Sequence, residues 1–251
     1  MNITLILLAI LPVLVLAGVV YKQDKVEKEP FGKLLKAFIF GALAIIPAGV
    51  MESVLSLFTP PFPIISGAYT GFIVAGCCEE LCKLLMLSWA IWKSSEFDEY
   101  FDGIVYACFV SLGFACFENI AYVVCQDSFA SAIATGSVRA VLSVPGHFLF
   151  GVMMGYYFAL AKFDRQHRSK NIFKAFFIPM LLHGSFDSLL MIPESMDHGA
   201  ELVSAVLLML FIGFDIKMWK WGIRRIRRLQ EMSQQQNFDR ENPFEGFTWN
   251  F

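Results

Sequence analysis

Gly76-Cys77-Cys78-Glu79-Glu80-Leu81-Cys82-Lys83-Leu84-Leu85, the stretch GCCEELCKLL, decides how this chain is read. It lies midway along an apolar run, residues 67–92, that is long enough to cross a bilayer, for which about 20 mostly apolar residues suffice. A charged side chain at mid-membrane costs roughly 2.5–3.5 kcal/mol on the insertion scale, so two adjacent carboxylates and an ammonium there point to a function that retains them. The rest of the chain agrees with a membrane setting. Of its 251 residues, 57% are hydrophobic and 17% charged, against about 45–50% and about 25% in soluble domains.

Seven segments of spanning length are predicted, near 3–20, 34–58, 67–92, 103–125, 138–161, 172–192 and 201–219. The chain is therefore expected to be an all-α, polytopic membrane protein. Residues 1–228 form one helical transmembrane domain, with its chemistry concentrated in about 66–192, and 229–251 is a polar tail. The composition of that tail, Gln234-Gln235-Gln236 included, predicts weak order. The first segment lacks a basic n-region and a small-x-small cleavage site and is interrupted by Pro12, so a retained helix is expected rather than a signal peptide. Pro47 and Pro179 sit inside other segments, as membrane helices allow where neighbours satisfy the freed carbonyls.

Basic residues collect in alternate connections. Lys22, Lys25, Lys28, Lys33 and Lys36 mark one, Lys93 the next, Lys162 to Lys174 a third, and Lys217 to Arg228 the last. The intervening loops near 59–66, 126–137 and 193–200 hold no Lys or Arg, and Arg139 lies just past one of them. Lys and Arg accumulate on the cytoplasmic side, which predicts the N-terminus outside, the C-terminus inside and a multi-pass location in the cell membrane. The Arg224-to-Arg228 run is expected to meet anionic lipid headgroups. No basic groove with interleaved aromatics is present, so the lipid bilayer, and not nucleic acid, is the expected environment. The six cysteines fall in or beside two apolar segments without paired CxxC spacing and read as small lipid-compatible side chains.

Further ionisable residues lie within the predicted spans: Glu52, Glu118, His147, His183 and Asp187. At about 1.5 Å per residue, most of them fall in one slab between the midplane and the outer leaflet. Glu79 and Lys83 stand at i, i+4, as do His183 and Asp187, so each pair shares a helix face. Lys83 can hold one carboxylate ionised, while Glu80, about 100° round the helix, points elsewhere. Asp187 can accept a ring N–H of His183 and leave the other nitrogen for chemistry. Pro145-Gly146 is expected to open the fifth helix just before His147, and Gly151-Val-Met-Met-Gly155 marks a close helix contact.

Glu79-Glu80-Leu81-Cys82-Lys83 (EExxK), Phe114-Ala-Cys-Phe-Glu118-Asn119-Ile-Ala-Tyr122 (FxxxENxxY), His147 and His183-Gly-Ser-Phe-Asp187 (HxxxD) follow one another on successive helices. Together they resemble the PrsW family of intramembrane proteases, grouped with the CAAX prenyl endopeptidases and bacteriocin-processing-like membrane proteases. The resemblance covers about residues 66–192. Lys83 stands one residue earlier than the usual Arg of the CAAX pattern, Glu118 replaces a His and Asp187 a frequent Asn, which matches the PrsW branch. The resemblance implies site-1 cleavage of a single-pass, membrane-anchored anti-sigma factor as part of a stress response. It implies catalytic roles for Glu79, Glu80 and His183.

On this reading Glu79 or Glu80 is the general base on a water, His147 positions that water, and His183, oriented by Asp187, stabilises the oxyanion. Lys83, Glu118, Asn119, Tyr122 and Arg139 support them. Two cofactor readings stay open: none, with a glutamate-activated water, or a divalent metal such as zinc held by the His and Glu side chains. No HExxH motif is present. A proton-coupled transporter is the alternative from a different class, since buried Glu and His also relay protons.

Overall fold

In the computed structural model, residues 3–194 and 201–242 are described. They fold as helices α1 (Ile3–Gln23), α2 (Phe31–Ser56), α3 (Pro63–Tyr69), a π-helical stretch (Thr70–Cys77), α4 (Cys78–Ile91), α5 (Asp102–Val124), α6 (Phe129–Val141), α7 (Ser143–Phe163), α8 (Arg168–Glu194) and α9 (Glu201–Glu241). The all-α, polytopic expectation holds: six helical spans among the described residues are long and apolar enough to cross a membrane. The predicted third segment is present as the unbroken succession α3, π-helix and α4, no single piece of which reaches spanning length.

α5 and α7 form the centre of the bundle and are buried along most of their length. Their contact depends on small residues, as the Gly151–Gly155 spacing predicted. A side chain at Gly151 would stand 2.9 Å from Ser111 Cβ, and one at Gly155 would run into the backbone of Gly103. A second close approach brings the π-helical stretch onto α8. A Cβ on Gly76 would lie 3.0 Å from both the Gly184 nitrogen and the Met180 carbonyl oxygen. That fit places the start of α4, and with it Glu79 and Glu80, beside His183. π-helical turns recur at functional sites because they change the phase of the residues that follow.

Two expectations are corrected. The fifth segment breaks at Leu142, between α6 and α7, and not at Pro145-Gly146. Pro145 falls in the first turn of α7, where a missing N–H leaves no helical bond unmade. Of residues 229–251, expected as a weakly ordered tail, 229–241 continue α9, whose 41 residues extend about 61 Å, twice the roughly 30 Å hydrocarbon core; residues 243–251 lie outside the described residues. The polar half is held by distant partners. Ser233 Oγ accepts from the Phe101 backbone N–H at 2.8 Å, Gln236 donates to the Asp98 carbonyl at 2.9 Å, and Arg240 pairs with Asp98 at 3.0 Å.

The same end of the bundle holds a buried acidic group, Asp24, Glu29, Glu99 and Asp102. Asp102 accepts the backbone N–H groups of Asp98 and Glu99 at 3.1 and 2.7 Å, and the Tyr106 hydroxyl donates to Glu29. These contacts, with Lys36 to the Ala90 carbonyl at 2.9 Å and Lys162 to the Trp92 carbonyl at 2.8 Å, close off the lysine-rich end.

Candidate active site

Lys83 is the hub of the site. Its Nζ lies 3.0 Å from Glu79 Oε2, 2.8 Å from Glu80 Oε1 and 3.0 Å from His147 Nδ1, and none of its side chain is exposed. Glu80 therefore does not point away from the Glu79–Lys83 pair as its position round the helix suggested. A lysine stem is long enough to reach the i−3 and the i−4 residues at once, and it gathers both carboxyls.

The two imidazoles come from different helices, α7 and α8, and meet edge to face with ring centroids 5.2 Å apart. His183 turns Nδ1 to Glu80 Oε1 at 3.0 Å and Nε2 to Asp187 Oδ2 at 3.4 Å. His147 turns Nε2 to Glu118 Oε2 at 2.8 Å. An ammonium only donates, so the Nδ1 facing Lys83 carries the lone pair and the His147 proton sits on Nε2. Ser111 on α5 donates to the His147 carbonyl at 2.6 Å, and Phe150 stacks on His183 at 4.6 Å. Sequence reasoning missed Ser111 and Phe150, since neither a lone Ser nor one Phe among 26 stands out.

Arg139 reaches in from α6. It pairs with Glu118 Oε2 at 2.8 Å, donates to Asn119 Oδ1 at 2.6 Å and covers the Tyr122 ring at 4.0 Å. Asn119 in turn donates to the Ala9 carbonyl at 3.2 Å, which anchors this group on α1. All ten residues singled out from sequence thus belong to one connected network.

Glu79, Glu118, Arg139, His147, His183 and Asp187 line a cavity of about 400 Å³, which Glu52 of α2 also faces. Its other walls come from the ends of α2, α5 and α8 remote from the lysine-rich loops, so it extends toward that remote end. Glu80 and Lys83 lie behind Glu79, away from the cavity wall.

The donor atoms of Glu79, Glu80, His147 and His183 lie within 4.8 Å of one another, close enough to be drawn onto one metal ion. Two imidazoles with carboxylates are a zinc-type donor set. Each imidazole also has its second nitrogen against an outer carboxyl, Glu118 or Asp187, the arrangement that orients metal-binding histidines. Glu80 Oε2 is buried without a hydrogen-bond partner. Among the described residues, five carboxyls, Glu52, Glu79, Glu80, Glu118 and Asp187, face two fixed cations, Lys83 and Arg139. In donor type and in charge, these residues fit a divalent cation.

Comparison with known proteins gives one consistent match. The family described as PrsW family intramembrane metalloprotease matches residues 29–214. Protease PrsW of Clostridioides difficile (strain 630) is 35% identical over 236 residues, 93% of this chain and 94% of that protein. Protease PrsW of Geobacillus kaustophilus is 32% identical over 233 residues, 93% and 95% of the two chains, and Protease PrsW of Bacillus subtilis (strain 168) 30% identical over 230 residues, 90% and 96%. No solved structure matches.

Proposed function

We propose, from the premise that this chain belongs to the PrsW family of intramembrane proteases and is therefore a multi-pass membrane peptidase, that it makes the first cut in a single-pass anti-sigma factor on the outer side of the cell membrane. The observation that carries the reading is the approach of Glu80 and His183, 3.0 Å apart on α4 and α8, behind a cavity that extends away from the lysine-rich loops. With those loops in the cytoplasm, the cavity faces the extracytoplasmic leaflet, where a site-1 cut falls. The transporter alternative gives way to the peptidase that the family shows.

Within the acid pair, Glu79 is the general base, because its carboxyl lines the cavity where a water and a peptide carbonyl would sit. Glu80, enclosed by Lys83 and His183, is a positioning residue. Glu79 takes a proton from water as the oxygen attacks the carbonyl, and later delivers it to the leaving amine. His183 lines the cavity with Nδ1 on Glu80 and Nε2 on Asp187, and donates Nε2–H to the oxyanion by giving up the longer, 3.4 Å contact to Asp187. A divalent cation held among Glu79, Glu80, His147 and His183 would supply Lewis-acid polarisation of the scissile carbonyl.

Co-expression with a tagged single-pass anti-sigma factor tests this. The wild type is expected to convert the substrate to a shortened, membrane-retained product, and Glu79→Gln and His183→Ala to leave it full length. Processing at the wild-type rate by either variant, at equal protein level, sinks the assignment.

A further inference from the structure

We propose that Lys83 competes with a divalent cation for Glu79, Glu80 and His147, so that this one ammonium sets how tightly the chain holds a metal. The inference rests on the reading above of Glu79, Glu80, His147 and His183 as the metal's donors. Lys83 Nζ lies within 3.0 Å of three of those four residues. His147 has its Nε2 turned to Glu118, so Nδ1 is the nitrogen left to face the cluster, and Lys83 already engages it. An ammonium and a divalent ion cannot share these lone pairs. At such separations in a buried site their repulsion exceeds thermal energy severalfold.

Phe114 helps to hold the ammonium where it stands, among these donors. Lys83 Nζ stands 4.2 Å from the centroid of the buried Phe114 ring on α5, within cation–π range. A cation that takes Glu79 and His147 must therefore draw Lys83 away from a position that this ring also stabilises. A purely structural ion pair predicts something different: removing Lys83 would then leave metal affinity unchanged or lower it, by loosening the donors.

The test uses full-length protein in lipid nanodiscs, titrated with zinc alone against a fluorescent chelator, with bound zinc counted by elemental analysis. Lys83→Met is expected to bind zinc at least about tenfold more tightly than wild type, and the gain to vanish when His183→Ala is added. Phe114→Leu keeps Lys83 but removes the ring contact that holds it in place, and is expected to tighten zinc binding about threefold. Equal or weaker binding by well-folded Lys83→Met overturns the competition. Should Lys83→Met fail to fold, Phe114→Leu decides, and unchanged or weaker binding there overturns it. If wild type binds zinc but Lys83→Met gains nothing, the competition alone fails. If no variant binds zinc, the metal reading falls with it, while the cleavage assay above still judges the protease assignment separately.

Discussion

His147 Nε2 and Glu118 Oε2 meet at 2.8 Å across α7 and α5, and Arg139 Nη2 meets the same carboxyl oxygen at 2.8 Å. The carboxylate fixes the imidazole tautomer and the guanidinium fixes the carboxylate. Glu118→Gln keeps the shape but lets the imidazole ring turn. Cleavage is expected to fall about 10–100-fold through the rate of the chemical step, with substrate affinity retained. Single-turnover and binding assays in nanodiscs separate the two, and a loss confined to affinity would contradict a positioning role.

Gly155 marks where α7 crosses α5 without room for a side chain. Gly155→Leu must push the helices apart, and overpacking of this kind costs about 1–3 kcal/mol. The expected outcome is a lowered unfolding midpoint in detergent together with lost cleavage. Gly18→Leu, at a position where a Cβ would meet no atom within 4 Å, is expected to leave the midpoint unchanged.

The acidic group at the lysine-rich end predicts a pH response. Burial pushes the Asp24 carboxyl up to about 6 and those of Glu29 and Glu99 up to about 7. In the unfolded chain these groups titrate near pH 4, so the folded form holds protons more tightly. Their stabilisation is complete below about pH 4 and is lost as pH rises through about 6 to 7. Hydrogen exchange in residues 95–101, corrected for intrinsic rates, is expected to be slower at pH 5 than at pH 8. Glu99→Gln is expected to shrink that difference, and a difference of opposite sign would refute the linkage.

Metal removal separates the two forms of water activation. A strong chelator is expected to stop cleavage by the reconstituted protein and added zinc to restore it. Because Lys83 holds affinity down, dialysis alone is expected to reduce activity before any chelator is added. Full activity in protein shown by elemental analysis to be free of divalent metal would leave Glu79 to activate water unaided.

Much of the site was legible because helical spacing is rigid. The Glu79–Lys83 and His183–Asp187 pairs follow from i, i+4 geometry, and Gly151 with Gly155 from the need of membrane helices for small residues at close crossings. The common depth of acids and imidazoles followed from counting residues along each span. What the sequence hid depends on distant partners or on irregular backbone. The π-helical turn leaves no periodic trace in Thr70–Cys77. The second contact of Lys83, to Glu80, depends on side-chain reach that a helical wheel ignores. The continuation of α9 to Glu241 is secured by Asp98, 142 positions from Arg240, so local composition misled. Glu52 was seen as a charge in a span, and only the packing of α2 shows that it faces the cavity.

The long α9 has a mechanical consequence. It straps the end of α1 through Gln230 to Gln23 at 3.1 Å and the loop before α5 through Asp98, so the lysine-rich end of the bundle is fastened. The hollow beside Glu79 lies toward the other end of the bundle, and no α9 residue lines it. The bundle is thus pinned at one end like a hinge, and the helix ends around the hollow are the ones left freer to part.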